Sequence, residues 1–282
     1  MFLLLFAFLT VPCHAVLLTD VWGRTIAFEK PAERIISLSP SVTEIFYALN
    51  AENTVAGRTD YCNYPPRVKN VPSVGGFAGA TINVEHIILL NPDIVILSGT
   101  MHLRINGILE SLGIRTFAVE PHSYKEILYT IEQLAIISGH EKDAQTLIQT
   151  MNTKIQQAKN IRAGKSIPRV LWILTEEPFM TVGASSFINE IIELGGGLNI
   201  FHDLTEEYPF ISAEHVVLRA PQWILTGSDR PTIHTWLKNK TVFASLEAVR
   251  VGRIAWVDAD TVYRYGPRFA DAVLNVARIL NP

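Results

Sequence analysis

The run N-V-E-H-I-I-L-L-N-P-D-I-V-I (83–96) returns 129 positions further along the chain as S-A-E-H-V-V-L-R-A-P-Q-W-I-L (212–225). Each copy reads as a capping residue, a Glu-His pair one position on, an apolar stretch with Leu at its end, two more residues, a proline and a strand. The first part has helical spacing, the proline stops it, and the second part is apolar on both faces. Two copies of one helix–strand unit in a single chain imply two lobes of one architecture. Glu85 and Glu214 fall in the first turns of their helices, just after Asn83 and Ser212. A carboxylate there is stabilised by the helix macrodipole, typically by about 0.3–1 kcal/mol. That alone accounts for both; a symmetric pair of docking carboxylates is the functional alternative.

Outward from the first copy, strands and helices alternate. Residues 34–39 form a β-type run, followed by Ser41-Val42-Thr43-Glu44, whose S-x-x-E spacing predicts a capping box and a helix to about Leu49. A second strand is expected over 53–57, an aromatic loop over 58–66, and a glycine-rich loop over 75–79. After the strand at 94–97 come a helix at 105–112, a stop at Gly113 and a strand at 115–119. Strands apolar on both faces belong to a parallel sheet covered by helices. Helical spacing then runs from about 123 to 161, split at Gly139. Its second piece, about 22 residues, is long enough for about 33 Å of helix. Ala144, Leu147, Ile148, Met151 and Ile155 make its apolar stripe. Strands at 169–174, 223–226 and 253–257 alternate with helices at 186–194, 212–219, 232–239 and 266–280. The fold class is α/β, with two αβ lobes flanking one long helix. The expected organisation is a leader at 1–15, an arm at 16–33, a first lobe at 34–138, a linking helix at 139–165 and a second lobe at 166–282.

Composition bounds the function. The 282 residues are 48% hydrophobic and 18% charged with a net charge of −3, enough for a sizeable core and wrong for a nucleic-acid footprint. The two cysteines, Cys13 and Cys62, exclude a disulfide framework and a Cys-rich zinc site. The apolar run from Phe2 to Val11 is too short to span a bilayer and matches the core of a signal peptide, with Ala15 as the small residue at the cut. Cys13 is a second candidate, for a lipid anchor, which Pro12 disfavours. The mature chain is expected outside the cytoplasm, soluble or tethered.

Catalytic constellations do not stand out. There is no nucleophile elbow, phosphate loop, H-E-x-x-H or dinucleotide fingerprint, and no two histidines lie four apart on a helix. An enzyme is therefore not expected, and neither is a bound metal ion or resident cofactor. The loops are aromatic instead: Tyr61, Tyr64 and Phe77 in the first half; Phe179, Tyr208, Phe210, Tyr263 and Tyr265 in the second. Each alone reads as packing; as a set converging from two lobes they suit a large, flat, partly apolar ligand. Arg264 and Arg268 supply either ligand-directed charge or a solvated face. Asp258 and Asp260 read as turn residues, with Asp260 also placed to reach a polar ligand edge.

Taken together, R-I-I-S-L-S-P-S-V-T-E-I (34–45), D-Y-C-N-Y-P-P (60–66), V-G-G-F (74–77), N-P-D-I-V (91–95) and G-A-S-S-F-I-N-E-I-I-E-L-G-G-G-L-N-I-F (183–201) resemble the periplasmic binding proteins for cobalamin, haem and iron-siderophores. The Y-C-x-Y-P-P loop leans toward the cobalamin branch. The resemblance implies two Rossmann-like αβ lobes joined by a long rigid α-helix with the ligand cleft between them, capture of a small molecule there by a monomer, and its delivery to the permease subunits of an ABC importer. It implies transporter docking through Glu85 and Glu214, pairing with arginines of those subunits. It puts ligand contacts at Tyr61, Phe77, Tyr208, Asp260 and Arg264, with cobalamin as the bound ligand. Phe77 and Tyr208 stand where cobalamin binders often carry Trp, which leaves haem and ferric siderophores open. The loop from Gly99 to Arg104, with His102, is a further candidate contact. A chelatase-like enzyme on the same scaffold is the alternative from another class.

Overall fold

The computed structural model describes residues 15–227 and 230–282, without the side chains of residues 230 and 231. The expected leader, except Ala15, and Cys13 within it lie outside the described residues. Val16–Thr19 (β1) and Thr25–Phe28 (β2) pair as an antiparallel hairpin. Its turn is tied by the Asp20 carboxylate, which accepts from the backbone amides of Trp22 and Arg24. Arg24 reaches on to Asn106 and Thr116, and the Val21 amide donates to the Ala118 carbonyl. The arm is thus laid along the first lobe.

That lobe runs Ile35–Ser37 (β3), Pro40–Ala48 (α1), Val55–Arg58 (β4), Val84–Leu89 (α2), Ile94–Ser98 (β5), Leu103–Ser111 (α3) and Thr116–Val119 (β6). Its strands are all parallel, in the order β4-β3-β5-β6. β3 and β6 are wholly buried and β5 nearly so, as strands covered on both faces must be. Tyr124–Ser138 (α4) ends at Gly139, whose left-handed φ of 74° breaks the helix, and Glu141–Arg162 (α5) follows. The second lobe runs Arg169–Ile173 (β7), Phe187–Leu194 (α6), Leu198–Asn199 (β8), Ala213–Arg219 (α7), Trp223–Thr226 (β9), Arg230–Asn239 (α8), Thr241–Ala244 (α9), Glu247–Arg250 (α10), Ile254–Trp256 (β10), Ala259–Val262 (α11) and Phe269–Leu280 (α12). Read from its far edge this parallel sheet is β8-β7-β9-β10, the same order as in the first lobe. The repeated helices α2 and α7 precede equivalent strands, β5 and β9, so the sequence repeat is a repeat of topology.

One apolar core joins the halves. It gathers Ile35, Phe46 and Phe117 from the first lobe, Met151 and Ile155 from α5, and Trp172, Ile192 and Val273 from the second. α5 packs lengthwise against α12. Each lobe keeps a smaller cluster of its own on the opposite sheet face.

Two expectations are corrected. Ser41 and Glu44 do not form a capping box: the N-cap is Ser39, Pro40 takes the first turn, and the Ser41 hydroxyl bonds that of Ser39 at 2.9 Å. Proline fits there because its missing amide is one a helix start leaves unbonded anyway. Ser212 is the N-cap residue of α7 but its hydroxyl makes no capping bond, whereas the Asn83 side chain caps α2 through the His86 amide at 3.0 Å. Gly195 to Gly197 close α6 as expected, but they lead into β8, a strand of two residues too short to read from the sequence.

Candidate ligand-binding cleft

The carboxyl ends of parallel strands leave a crevice where the chain turns to either side, the usual ligand position in open α/β sheets. Here it is a cavity of about 870 Å³ between the lobes. Ser39 and Ser41 follow β3, Tyr61 follows β4, Ser98, Thr100 and Met101 end or follow β5, and Val119, Glu120 and His122 end or follow β6. The second lobe contributes Glu207 and Tyr208 after β8, then Asp260, Tyr263, Arg264 and Tyr265 after β10. Tyr61, Phe77, Tyr208, Asp260 and Arg264 all line this one cavity.

Phe77 is delivered by a glycine turn. Gly75 has φ +102°, and a Cβ there would collide with the Thr81 carbonyl, so only glycine allows the turn. His102 fixes the loop from behind. Its Nδ1 accepts from the Ser98 amide at 2.8 Å, so Nε2 carries the proton and donates to the Phe77 carbonyl at 2.7 Å. The ring lies edge-on to Phe77, 5.4 Å between centroids. Burial lowers the His102 pKa, with the bond to Phe77 opposing, and the imidazole is held neutral. His102 is therefore corrected from a ligand contact to a fully buried support of the wall. Its neighbours Thr100 and Met101 face the cavity instead.

On the other wall, burial first, then Tyr265 and Glu207, push the Tyr208 hydroxyl far above its ordinary value. Burial likewise raises Tyr263 and Tyr265. These phenols stay protonated as neutral donors. Tyr265 rests on Phe187, 4.1 Å between centroids, and its hydroxyl donates to Glu207 Oε1 at 3.5 Å.

An ion-pair cluster that reaches the cavity lining through Asp260 and Arg264 crosses from lobe to lobe. Glu44, on α1, has a side chain only 3% exposed. Its Oε1 accepts from Arg264 Nη1 and Arg268 Nη2, and its Oε2 from Arg268 Nε, all at 2.7 Å. Arg264 also meets Asp260 at 2.9 Å and the Asn63 side-chain Oδ1 at 2.7 Å, and Asn63 Nδ2 donates to Asp260 at 3.2 Å. Burial alone would lower the Arg268 guanidinium; the hydrogen bonds and charge of Glu44 more than reverse that and hold it above its ordinary value. Both arginines are thus committed to protein carboxylates, and Arg268 is corrected from a candidate solvated face. Asp258 caps α11 through the Asp260 amide, as a turn residue should.

Three aromatics in the expected set stand elsewhere. Phe179 packs on Trp236 and Phe243 inside the second lobe, Tyr64 lies under the Arg268 guanidinium at 4.3 Å, and Phe210 is outside the cavity lining. Cys62 is buried beside the hydroxyls of Thr43 and Thr59, a packed small residue. Glu44, Glu120, His122 and Glu207 were not among the expected site residues. Glu120 and His122 had a readable signal, since they directly follow the strand at 115–119. Glu85 and Glu214 are exposed on α2 and α7, away from the cavity lining. No helix among the described residues is long and apolar enough to cross a membrane.

A family model described as "Periplasmic binding protein" matches residues 35–261. A vitamin B12-binding protein of Vibrio cholerae is 31% identical over 253 residues, 89% of this chain and 90% of that protein. The crystal structure of the periplasmic vitamin B12 binding protein of Vibrio cholerae superposes with a TM-score of 0.76 at 31% identity, covering 89% of this chain and 97% of the other. That of a periplasmic heme binding protein from the same organism gives 0.79 at 23% identity over 88% and 99%, a likeness of fold alone.

Proposed function

The chain belongs to the periplasmic binding protein family, and from that premise we propose that it captures a corrinoid, cobalamin, outside the cytoplasm and delivers it to the permease of an ABC importer. The observation that carries this reading is the charge of the lining. Glu120, Glu207 and Asp260 face the cavity against a single arginine, Arg264, which is already paired to Glu44 and Asp260. Such a lining opposes the propionates of haem and the anionic groups of most siderophores. It suits an amide-fringed ligand without acidic side chains, which offers N–H donors to those carboxylates. Phe77, Tyr61, Tyr208 and Tyr263 give the flat ring apolar area from both lobes. The curated relative named for vitamin B12 supports the same ligand. The protein acts as a monomer and alters nothing it binds. Glu85 and Glu214 dock to arginines of the permease subunits.

One observation favours haem as a second reading. His122 stands exposed on the cavity wall, its ring 6.4 Å from that of Tyr265, and an accessible imidazole is an iron ligand. The deciding experiment is calorimetric titration of the chain from residue 16 onward with cyanocobalamin, haemin and a ferric hydroxamate. One-to-one cyanocobalamin binding, tighter than either rival, is expected. Tighter haemin binding with a Soret shift replaces the ligand, and binding of none of the three overturns the reading.

A further inference from the structure

Leu89 and Leu218 are 79% and 81% exposed, more than any other large apolar side chain among the described residues. They are the same residue of the repeat, four positions after Glu85 and Glu214 respectively. On a helix that spacing puts carboxylate and leucine on one face, a turn apart. Folding does not call for these leucines: Ile87 and Val216 are completely buried and anchor the two helices to their lobes. Ile88, 48% exposed, widens the patch in the first lobe. Neither carboxylate forms an ion pair among the described residues. Glu214 is held below the ordinary carboxylate range by its own backbone amide, then by the Ser212 hydroxyl and His215.

We infer that Leu89 and Leu218 are the apolar anchors of two equivalent docking half-sites, each completed by the glutamate one turn away. The occupant is the membrane permease, presenting a cation beside an apolar socket once to each lobe. The inference rests on the transporter reading above and deepens it. An exposed carboxylate without an ion pair calls for a cationic partner, and an exposed leucine beside it calls for burial, since an interface gains most from an apolar centre inside a charged rim. The duplication of both features by the repeat calls for a partner that offers the complementary patch twice.

The test measures docking of the full mature chain to its cognate permease complex in nanodiscs by surface plasmon resonance. Leu89→Asn, Leu218→Asn, their double variant and the Glu85→Ala/Glu214→Ala pair are compared with wild type. Thermal midpoints and cyanocobalamin titrations serve as controls for folding and for the cleft. Each leucine change is expected to weaken docking about tenfold and the double about a hundredfold, on the order of burying one leucine per half-site, with both controls unmoved. If the glutamate pair abolishes docking while the leucine variants dock like wild type, the anchors are wrong and the transporter reading stands. If only one leucine matters, the two half-sites are not equivalent and the inference fails. If wild type itself does not dock, the transporter reading fails and the anchors go with it.

Discussion

Replacing Glu44 with glutamine tests whether the ion-pair cluster sets both the stability and the charge of the cleft. The change conserves shape, but the carboxylate accepts three hydrogen bonds, from Arg264 Nη1 and from Arg268 Nε and Nη2. In either amide orientation an NH₂ group now points at a guanidinium donor. Arg268, 14% exposed, keeps one bond to the glutamine oxygen and one to the Asp260 carbonyl at 3.2 Å, but loses the charge that balanced it. Removing one partner of a buried pair costs about 3–5 kcal/mol. In a chain of this size each kcal/mol lowers the thermal midpoint by about 2–4 °C, so a fall of about 6–12 °C is expected at the lower cost. Calorimetric unfolding of the ligand-free protein measures it. The cluster also gains a net positive charge. At about 8 Å and an effective dielectric of about 40, one such charge is worth ~1 kcal/mol to an anion. Haemin should therefore bind roughly fivefold tighter to the variant, whatever its affinity for wild type. Glu44→Gln/Arg268→Met, which removes the orphaned charge as well, should recover much of the midpoint. An unchanged midpoint together with unchanged haemin affinity would refute the reasoning.

Other outcomes follow from the same geometry. Phe77→Ala and Tyr208→Ala are each expected to weaken cyanocobalamin binding about tenfold by calorimetry, the scale of losing one aromatic anchor; wild-type affinity in both would remove the aromatic clamp. The unfolded chain protonates His102 near its ordinary 6.5, while the buried imidazole resists. Its stabilising contribution is thus complete above that pH and declines as pH falls below it, levelling off only beneath the lowered folded pKa. His102→Gln should flatten the difference in midpoint between about pH 7.5 and about pH 5.5, and an equal difference in both proteins would contradict this. The Glu85→Ala/Glu214→Ala pair should leave cyanocobalamin affinity intact and abolish uptake by cells; lost affinity would move those residues out of the docking role.

What was legible in the sequence was legible because it was local. The stretch Ile94 to Leu97 is apolar at every position, which only a strand buried on both faces tolerates. Gly139 ended one helix because a left-handed residue was needed there, and His140 opens the next. The repeat around Glu85 and Glu214 carried the equivalence of two sheets. Glu44 was misread for the opposite reason. A Ser three residues before it satisfied a local pattern, while its arginine partners lie 220 and 224 positions away, where no spacing rule reaches. His102 failed similarly: an imidazole in a loop beside a cleft reads as a contact until both its nitrogens are found bonded to backbone. The short helices Thr241–Ala244 and Glu247–Arg250 have too few turns to show a period.

Two very different restraints hold the lobes in register. Behind the cleft, α5 and α12 share an apolar core with both sheets, so separating the lobes would expose buried aliphatic and aromatic surface. In the ion-pair cluster, Glu44 of one lobe grips two arginines of the other, and Asn63 grips Asp260 and Arg264 alongside. The first restraint has no charge to titrate or screen; the second is ionic and directional. A hinge needs a few residues free to change φ and ψ, but here the connection is a helix of 22 residues packed along its length. Lobes held this way are expected to close little, so on the proposed reading little binding energy would go into closing the cavity. The same stiffness keeps Glu85 with Leu89 and Glu214 with Leu218 at a fixed separation, which a partner contacting both lobes at once requires.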